Sequence, residues 1–283
     1  MAAPRRRFTS IARPVEPQVP TNLAILILMG VALVGLSITA IVRGAPLVDA
    51  LLGGLVGSLV VFATWALGRD LAPDDNPAAF VALLPVTALV LLGVDPALMG
   101  PLTALGLVRV VNRSVGPPAT TLDRVMMLVL VFLVARDGDG LGIGLAAALA
   151  FGLDAILPER QRHGGWWALL AVLVATAGTV AHGSLDLSIV VPGPWTYAAM
   201  VTTGLFALVI ATQPVPRSVQ DLRPHEPLRR DRVQGGMLVG LVALLPSLMG
   251  GDAAIGTWIV GWGACLGVII TRPFQRQAPR PPA

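Results

Sequence analysis

The sequence predicts an all-α fold, a polytopic bundle of about ten transmembrane helices, and three observations support this. Apolar residues make up 55% of the 283 residues and charged residues only 13%, whereas soluble domains average about 25% charged residues. The apolar residues fall into long stretches that are separated by short polar joints. The 20 basic residues are all arginines, and an alternating topology leaves only Arg43 and Arg136 on its outer side.

This arginine asymmetry also predicts the orientation of the chain. Short loops that are rich in arginine stay on the cytoplasmic side of a bilayer. We therefore expect a multi-pass protein of a bacterial inner membrane with both termini in the cytoplasm. The net charge of +4 does not indicate a nucleic-acid partner, because the arginines are spread over several loops and are not gathered with aromatic residues. Membrane lipids, including anionic headgroups, are the expected partners.

The chain begins with a basic, proline-rich tail, residues 1–21, which we expect to be disordered in the cytoplasm. The apolar stretch 22–41 is about as long as a spanning helix requires. It is also longer than the core of a cleaved signal peptide, and further spans follow it. It is therefore predicted to be the first transmembrane helix, and residues 47–67 the second.

The next two segments, residues 78–93 and 97–111, are short for spanning helices, and they contain Pro85 and Pro101. Two interpretations stay open. Either both segments cross the membrane, which gives ten spans, or they form a re-entrant hairpin, which leaves eight. Broken helices at membrane depth are tolerated where they are buried in protein or face water.

The fifth segment, residues 122–135, has the weakest signal, because Asp123 and Arg124 shorten its apolar run. It follows Thr120 and Thr121, and an acidic residue in the first turn of a helix is stabilising. The remaining spans are predicted at residues 141–157, 166–181, 195–211, 235–249 and 253–271. A loop with five arginines, residues 213–234, precedes the last pair, and a basic tail, residues 272–283, follows it.

Residues 22–271 are thus predicted to be one helical domain, with a possible four-helix repeat over 22–117 and 118–234 and a final pair over 235–271. The hint of a repeat comes from small residues that recur in the second, sixth and tenth spans. In lipid such residues let helix backbones approach closely. The predicted packing residues are Gly53, Gly57, Gly140, Gly144, Gly152, Gly263 and Gly267.

One polar joint, residues 69–77, carries three carboxylates within six positions. Oxygen ligands of this kind suit Mg²⁺, so the candidate metal ligands are Asp70, Asp74 and Asp75. Arginines on the same predicted face are candidates for binding an anion or a lipid headgroup: Arg69, Arg109, Arg113 and Arg124. The alternative is purely structural, because Asn76 followed by Pro77 is a typical start of a helix.

No catalytic residues and no cofactor-binding motif are identified in the sequence. The spans hold almost no ionisable residues near their centres, whereas ion-coupled transporters usually keep such groups there. We expect a permease-like protein that handles an apolar or neutral solute or a lipid. Two alternatives stay open: a non-catalytic subunit or assembly factor of a membrane complex, and a membrane-embedded enzyme acting on a lipid or isoprenoid phosphate.

Overall fold

A computed structural model describes residues 9–161, 164–183 and 190–275, without the side chains of residues 139, 224, 274 and 275. Within these residues the fold is all-α, apart from one short hairpin. The α-helices are α1 (Pro20–Val42), α2 (Leu47–Leu71), α3 (Asn76–Val81), α4 (Leu83–Leu91), α5 (Met99–Asn112), α6 (Thr121–Val134), α7 (Gly140–Ile156), α8 (Gly164–His182), α9 (Pro194–Ala211), α10 (Arg230–Leu244) and α11 (Ile255–Gln275). Strands β1 (Val219–Gln220) and β2 (Arg223–Pro227) pair antiparallel in the loop before α10.

The helices confirm the predicted class of helical membrane protein. In the described part of the chain, five helical stretches are long and apolar enough to cross a bilayer. They are α1, α2, α8, α9 and the continuous stretch Pro246–Pro273. Asn76–Leu91 and Gly140–Ile156 are shorter apolar stretches.

Two pairs of consecutive helices are joined by irregular helical segments. A π-helical segment, Ala135–Asp139, joins α6 to α7, and a 3₁₀ segment, Pro246–Ala254, joins α10 to α11. Gly138 and Gly251 have φ angles of 110° and 64° inside these segments. Residues with a side chain rarely adopt such angles, so glycine allows the chain to change direction there.

The polar residues at helix starts are used locally. Asp75, and not Asn76 as the sequence suggested, is the N-cap of α3, and its carboxylate accepts a hydrogen bond from the Ala78 amide. Thr120 and Asp123 form a reciprocal capping box at the start of α6. The polar residues that weakened the fifth predicted span therefore define where that helix begins.

The helix ends fall into two groups according to their contacts. Asn22, at the start of α1, accepts a hydrogen bond from Arg69 near the end of α2. This side of the bundle, which also carries Arg109, Asp154 and Arg232, is called the basic end below. The other side is called the opposite end. There Arg43, which follows α1, donates a hydrogen bond to the Leu91 carbonyl at the end of α4.

The two short predicted segments run between these ends. α3 starts at the basic end, where Asp75 contacts Thr271 of α11, and α4 finishes at the opposite end. The Ala97 amide just before α5 bonds to the Gly256 carbonyl at the start of α11, and α5 returns to Arg109 at the basic end. The path Asn76–Leu91 rises about 24 Å along its axis. Both segments therefore extend from one end of the bundle to the other.

The centre of the bundle is formed by α5, which packs against α2, α6, α7, α10 and α11. By contrast, α1 packs chiefly along α2, and most of its apolar surface faces outward. Residues 9–19, part of the tail expected to be disordered, lie against the basic end. There Ile11 packs into the core, and Ser10 is buried against Asp123.

The predicted packing glycines differ in their surroundings. A Cβ atom added at Gly57, Gly140, Gly144, Gly263 or Gly267 would lie within 2.5 Å of an atom of another helix. A Cβ added at Gly53 or Gly152 would meet nothing within 4 Å. Among these seven glycines, Gly267 is the one at which an added Cβ atom would come closest to the backbone of another helix, at 2.4 Å from the Ala78 carbonyl oxygen.

We therefore expect Gly267→Ala to lower the free energy of unfolding by about 1–3 kcal/mol, because the added methyl group must push α3 away from α11. The measurement is denaturation of the purified protein in mixed detergent micelles. The matched control is Gly152→Ala, which should gain about 0.5–1 kcal/mol from helix propensity alone. Equal effects of the two substitutions would contradict the packing interpretation.

Candidate functional site

The basic end contains two buried polar clusters. The first is centred on Asp70 at the end of α2. Its carboxylate lies 2.7 Å from Arg109 Nε and accepts a hydrogen bond of 2.7 Å from Ser114 Oγ. Asn112 Nδ2 donates to the Asp70 carbonyl over 3.1 Å. This cluster ties the end of α2 to the end of α5.

The second cluster, called the Asp154 cluster below, surrounds one carboxylate on α7. Arg113 Nη2 lies 2.7 Å from Asp154, Arg232 Nη1 lies 3.2 Å from it, and Arg124 Nη2 lies 3.4 Å from it. All four side chains are less than one-tenth exposed. Glu159 adds a partly exposed carboxylate 3.0 Å from Arg113 Nη1. Four elements of the fold therefore meet at one negative charge.

The four arginines predicted to bind an anion are divided between different partners. Arg109 joins the Asp70 cluster, while Arg113 and Arg124 join the Asp154 cluster. Arg69 donates to Asn22 over 2.9 Å, and its guanidinium lies 5.3 Å from the centre of the Trp65 ring. The four residues do not form one shared site here, and anion binding stays a prediction.

The three carboxylates predicted to bind a metal also have separate partners. Asp70 faces Arg109, and Asp75 caps α3 and contacts Thr271. Asp74 accepts hydrogen bonds from the backbone amides of Arg217 and Ser218. Among the described residues, no three His, Cys, Asp or Glu side chains are grouped as metal ligands would be. Metal binding stays a prediction and does not enter the proposal below.

The loop before α10 and the tail before α1 meet over the basic end. Arg13 Nη2 lies 2.5 Å from the Asp221 carboxylate. Burial raises the pKa of Asp221, and the positive charges of Arg13 and Arg69 oppose this rise. The contact between Arg13 and Asp221 connects the tail before α1 to the loop before α10.

A cavity of about 270 Å³ lies between α5, α7, α10, α11 and the 3₁₀ segment. None of its described lining side chains is charged, and its wall combines apolar side chains with polar atoms such as the hydroxyls of Ser247 and Thr257. Small residues contribute much of the wall: Gly100, Ala104, Gly142, Gly240, Ala243 and Gly261. A Cβ atom added at Gly100 would meet nothing within 4 Å, whereas at Gly142 and Gly240 it would lie 3.0 Å from an atom of a neighbouring helix.

The cavity reaches the opposite end of the bundle. Gly138 of the π-helical segment and Gly250 of the 3₁₀ segment line it there. A second depression of about 430 Å³ shares Gly100 and Val134 with it and adds Arg136 and Asp137. A depression with two charged lining residues, called the charged depression below, therefore adjoins the cavity.

On the side of the basic end, the cavity extends close to the Asp70 cluster. Leu67 lines the cavity, and Asp70 follows three residues later on α2, about 4.5 Å further along the axis. Leu71 packs against Gly240 at this depth. The buried ion pairs of the basic end thus lie beneath the cavity and tie its helices together.

Sequence reasoning did not identify the cavity, and it missed Ser114, Asn112 and Arg232 as partners of the buried carboxylates. Arg232 belonged to a predicted loop, whereas α10 begins at Arg230 and carries this side chain into the bundle. Asp154 did give a usable signal, because an ionisable residue among apolar neighbours in a span requires a partner.

We expect Asp154→Asn to destabilise the protein by about 3–5 kcal/mol, because three buried guanidinium groups would lose their shared anion. The control is Glu226→Gln, which removes an exposed partner of Arg223 and should cost at most about 1 kcal/mol. Thermal unfolding of both variants in detergent compares them. A fully stable Asp154→Asn protein would show that the cluster does not hold the helices together.

Comparison with known proteins does not supply a function for this arrangement. No family model, no curated protein and no solved structure matches the chain. The function therefore has to be argued from the cavity and the charges of the chain itself.

Proposed function

We propose that this chain is a permease-like protein of the bacterial inner membrane that admits an apolar or neutral solute, or part of a lipid, into the cavity. The observation that carries the proposal is a space within the bundle that reaches the opposite end and that no charged side chain among its described lining residues faces. A membrane bundle that served only as a scaffold would gain packing energy by filling this space with larger side chains. At Gly100 the chain instead has a residue at which an added Cβ atom would meet nothing within 4 Å.

The chemistry of the wall defines the class of solute. A charged solute would lose its hydration without finding an ionic partner, which is costly in an apolar site. The hydroxyl groups of Ser247 and Thr257 donate to the carbonyls of Leu244 and Ala254, so they can still accept a hydrogen bond from a neutral ligand. A volume of about 270 Å³ is close to the lower limit of typical ligand pockets.

The irregular segments give the cavity a place to open or close. The π-helical and 3₁₀ segments line it, and their glycines change the chain direction. At the basic end, the ion pairs beneath the cavity would have to separate for a solute to pass through.

The arginine distribution supports an orientation in which the basic end faces the cytoplasm, with both termini on that side and ten helical crossings. Arginine-rich loops favour the cytoplasmic side. The cavity would then be accessible from outside the membrane. Membrane lipids, with anionic headgroups at the basic end, would surround the bundle.

A second candidate function is a non-catalytic subunit of a larger membrane complex. The exposed apolar face of α1 favours it, because few contacts other than those with α2 cover this helix. A helix of a partner could pack there in place of lipid. Stable co-purification of another membrane protein, with its loss on substitutions in α1 alone, would support this candidate.

Thiol labelling tests whether the cavity is accessible to water. The single native cysteine, Cys265, is buried, so introduced cysteines can be followed separately. We expect Gly100→Cys to react with a membrane-impermeant reagent added outside, because Gly100 lines both the cavity and the charged depression beside it. The control Gly35→Cys lies on the exposed face of α1 and should not react, since lipid excludes the ionised thiol.

A second substitution at Gly100 tests the transport function. Gly100→Trp should abolish flux of small neutral solutes into proteoliposomes while the protein stays folded, because a Cβ at Gly100 meets open space and the ring can fill the cavity. The test covers a panel of neutral solutes and fluorescent lipids. Absence of flux by the unmodified protein for the whole panel would refute the permease function.

Orientation requires a separate measurement. Val191 and Val215 are 84% and 71% exposed on opposite ends of the bundle. In intact cells, Val191→Cys should be labelled from outside and Val215→Cys only after permeabilisation. The reverse pattern would place the cavity mouth on the cytoplasmic side.

A further inference from the structure

The Asp154 cluster carries more positive than negative charge. Arg113, Arg124 and Arg232 converge on the single carboxylate of Asp154, and all four are almost fully buried. Burying a charge is costly unless it is paired. Hydrogen bonds from Arg232 to the carbonyls of Val111 and Pro158 offset part of the cost of burying its charge. Even so, the buried set holds two positive charges in excess.

Glu159 supplies only part of the missing negative charge. Its carboxylate lies 3.0 Å from Arg113 Nη1, but it is 49% exposed, so water competes for it. The Nε atom of Arg113 is buried and has no hydrogen-bond partner among the described residues. The guanidinium of Arg113 thus has one buried donor without a partner, Nε, and a partly exposed partner at Nη1.

The surroundings of this cluster match the headgroup layer of a membrane. Arg124 lies 5.8 Å from the centre of the Trp167 ring, and the neighbouring Trp166 is exposed. Tryptophans of this kind lie at the membrane–water interface. Arg160, next to Glu159 in the chain, is also exposed. A headgroup anion would therefore reach Glu159 between basic and aromatic side chains.

We propose that a phosphate group binds here by displacing the Glu159 carboxylate from Arg113. Phosphate oxygens accept charge-assisted hydrogen bonds from guanidinium groups and match their planar geometry. The phosphate comes either from an anionic phospholipid or from a free phosphate ester. The site is separate from the cavity, so the proposal does not depend on the permease function.

The test uses the full-length protein and replaces the competing carboxylate without removing any arginine. Glu159→Gln keeps the shape of the side chain and the backbone carbonyl that accepts from Arg113. The matched control is Glu226→Gln, because Glu226 is 51% exposed and also lies 3.0 Å from an arginine. One arm measures binding of phosphatidylglycerol to the protein in phosphatidylcholine nanodiscs. The other measures binding of glycerol 3-phosphate and inorganic phosphate in a neutral detergent.

We expect Glu159→Gln to bind the phosphate about two- to fivefold more tightly than the unmodified protein, which corresponds to removing one exposed competing ion pair. Glu226→Gln should change nothing. A gain confined to phosphatidylglycerol identifies a lipid headgroup as the source, and a gain with the soluble phosphates identifies a free ester. No gain in either arm, or an equal gain with Glu226→Gln, would overturn the proposal.

A second variant guards against an indirect effect of the Glu159 substitution. Combining Glu159→Gln with Arg124→Gln should remove the gain, because it takes away one of the two excess positive charges while Arg113 and Arg232 still pair with Asp154. Persistence of the full gain in this double variant would show that the phosphate binds outside the Asp154 cluster, and would also overturn the proposal.

Discussion

The shared contact of Asp154 with three arginines is the constraint on which the rest of the bundle depends. Apolar helices in lipid gain little from the hydrophobic effect against one another, so packing and polar contacts must fix their positions. Here one carboxylate on α7 joins the end of α5, the start of α6 and the start of α10. Leaving any of these charges unpaired in a low-dielectric setting would be costly. The helices are therefore held in one register at this end.

The two ends of the molecule are built by different means. At the basic end, ion pairs and the chain before α1 close the surface. At the opposite end, irregular helical segments join α6 to α7 and α10 to α11, and the Asp252 carboxylate accepts hydrogen bonds from the Thr196 amide and hydroxyl. The cavity lies between these two differently built ends. This difference is the physical basis of the proposed access from one side.

Most of the helical segments could be predicted because each depends on a local property of the chain. An apolar stretch in lipid has to form a helix to satisfy its own backbone, so α1, α2, α8 and α9 lie close to the predicted spans. Predictions failed where neighbours decided the outcome. The start of α10 at Arg230 and the 3₁₀ segment after Leu244 were not predicted, because both depend on what packs beside them. The break between α3 and α4 lies just before Pro85, the residue for which a broken helix was considered, and is a local effect of proline.

The sequence by itself determined the class of molecule, the approximate helices and the concentration of arginine at one end, since composition and hydrophobic length do not depend on tertiary contacts. It also identified Asp70 as a candidate metal ligand and Arg109 and Arg113 as candidate anion-binding residues, but not as partners in buried ion pairs. Only the tertiary structure decided which arginine meets which carboxylate and where small residues from four helices leave a space. Those features require residues far apart in the chain, such as Ala104 and Gly261, to be brought together, and no local pattern encodes that distance.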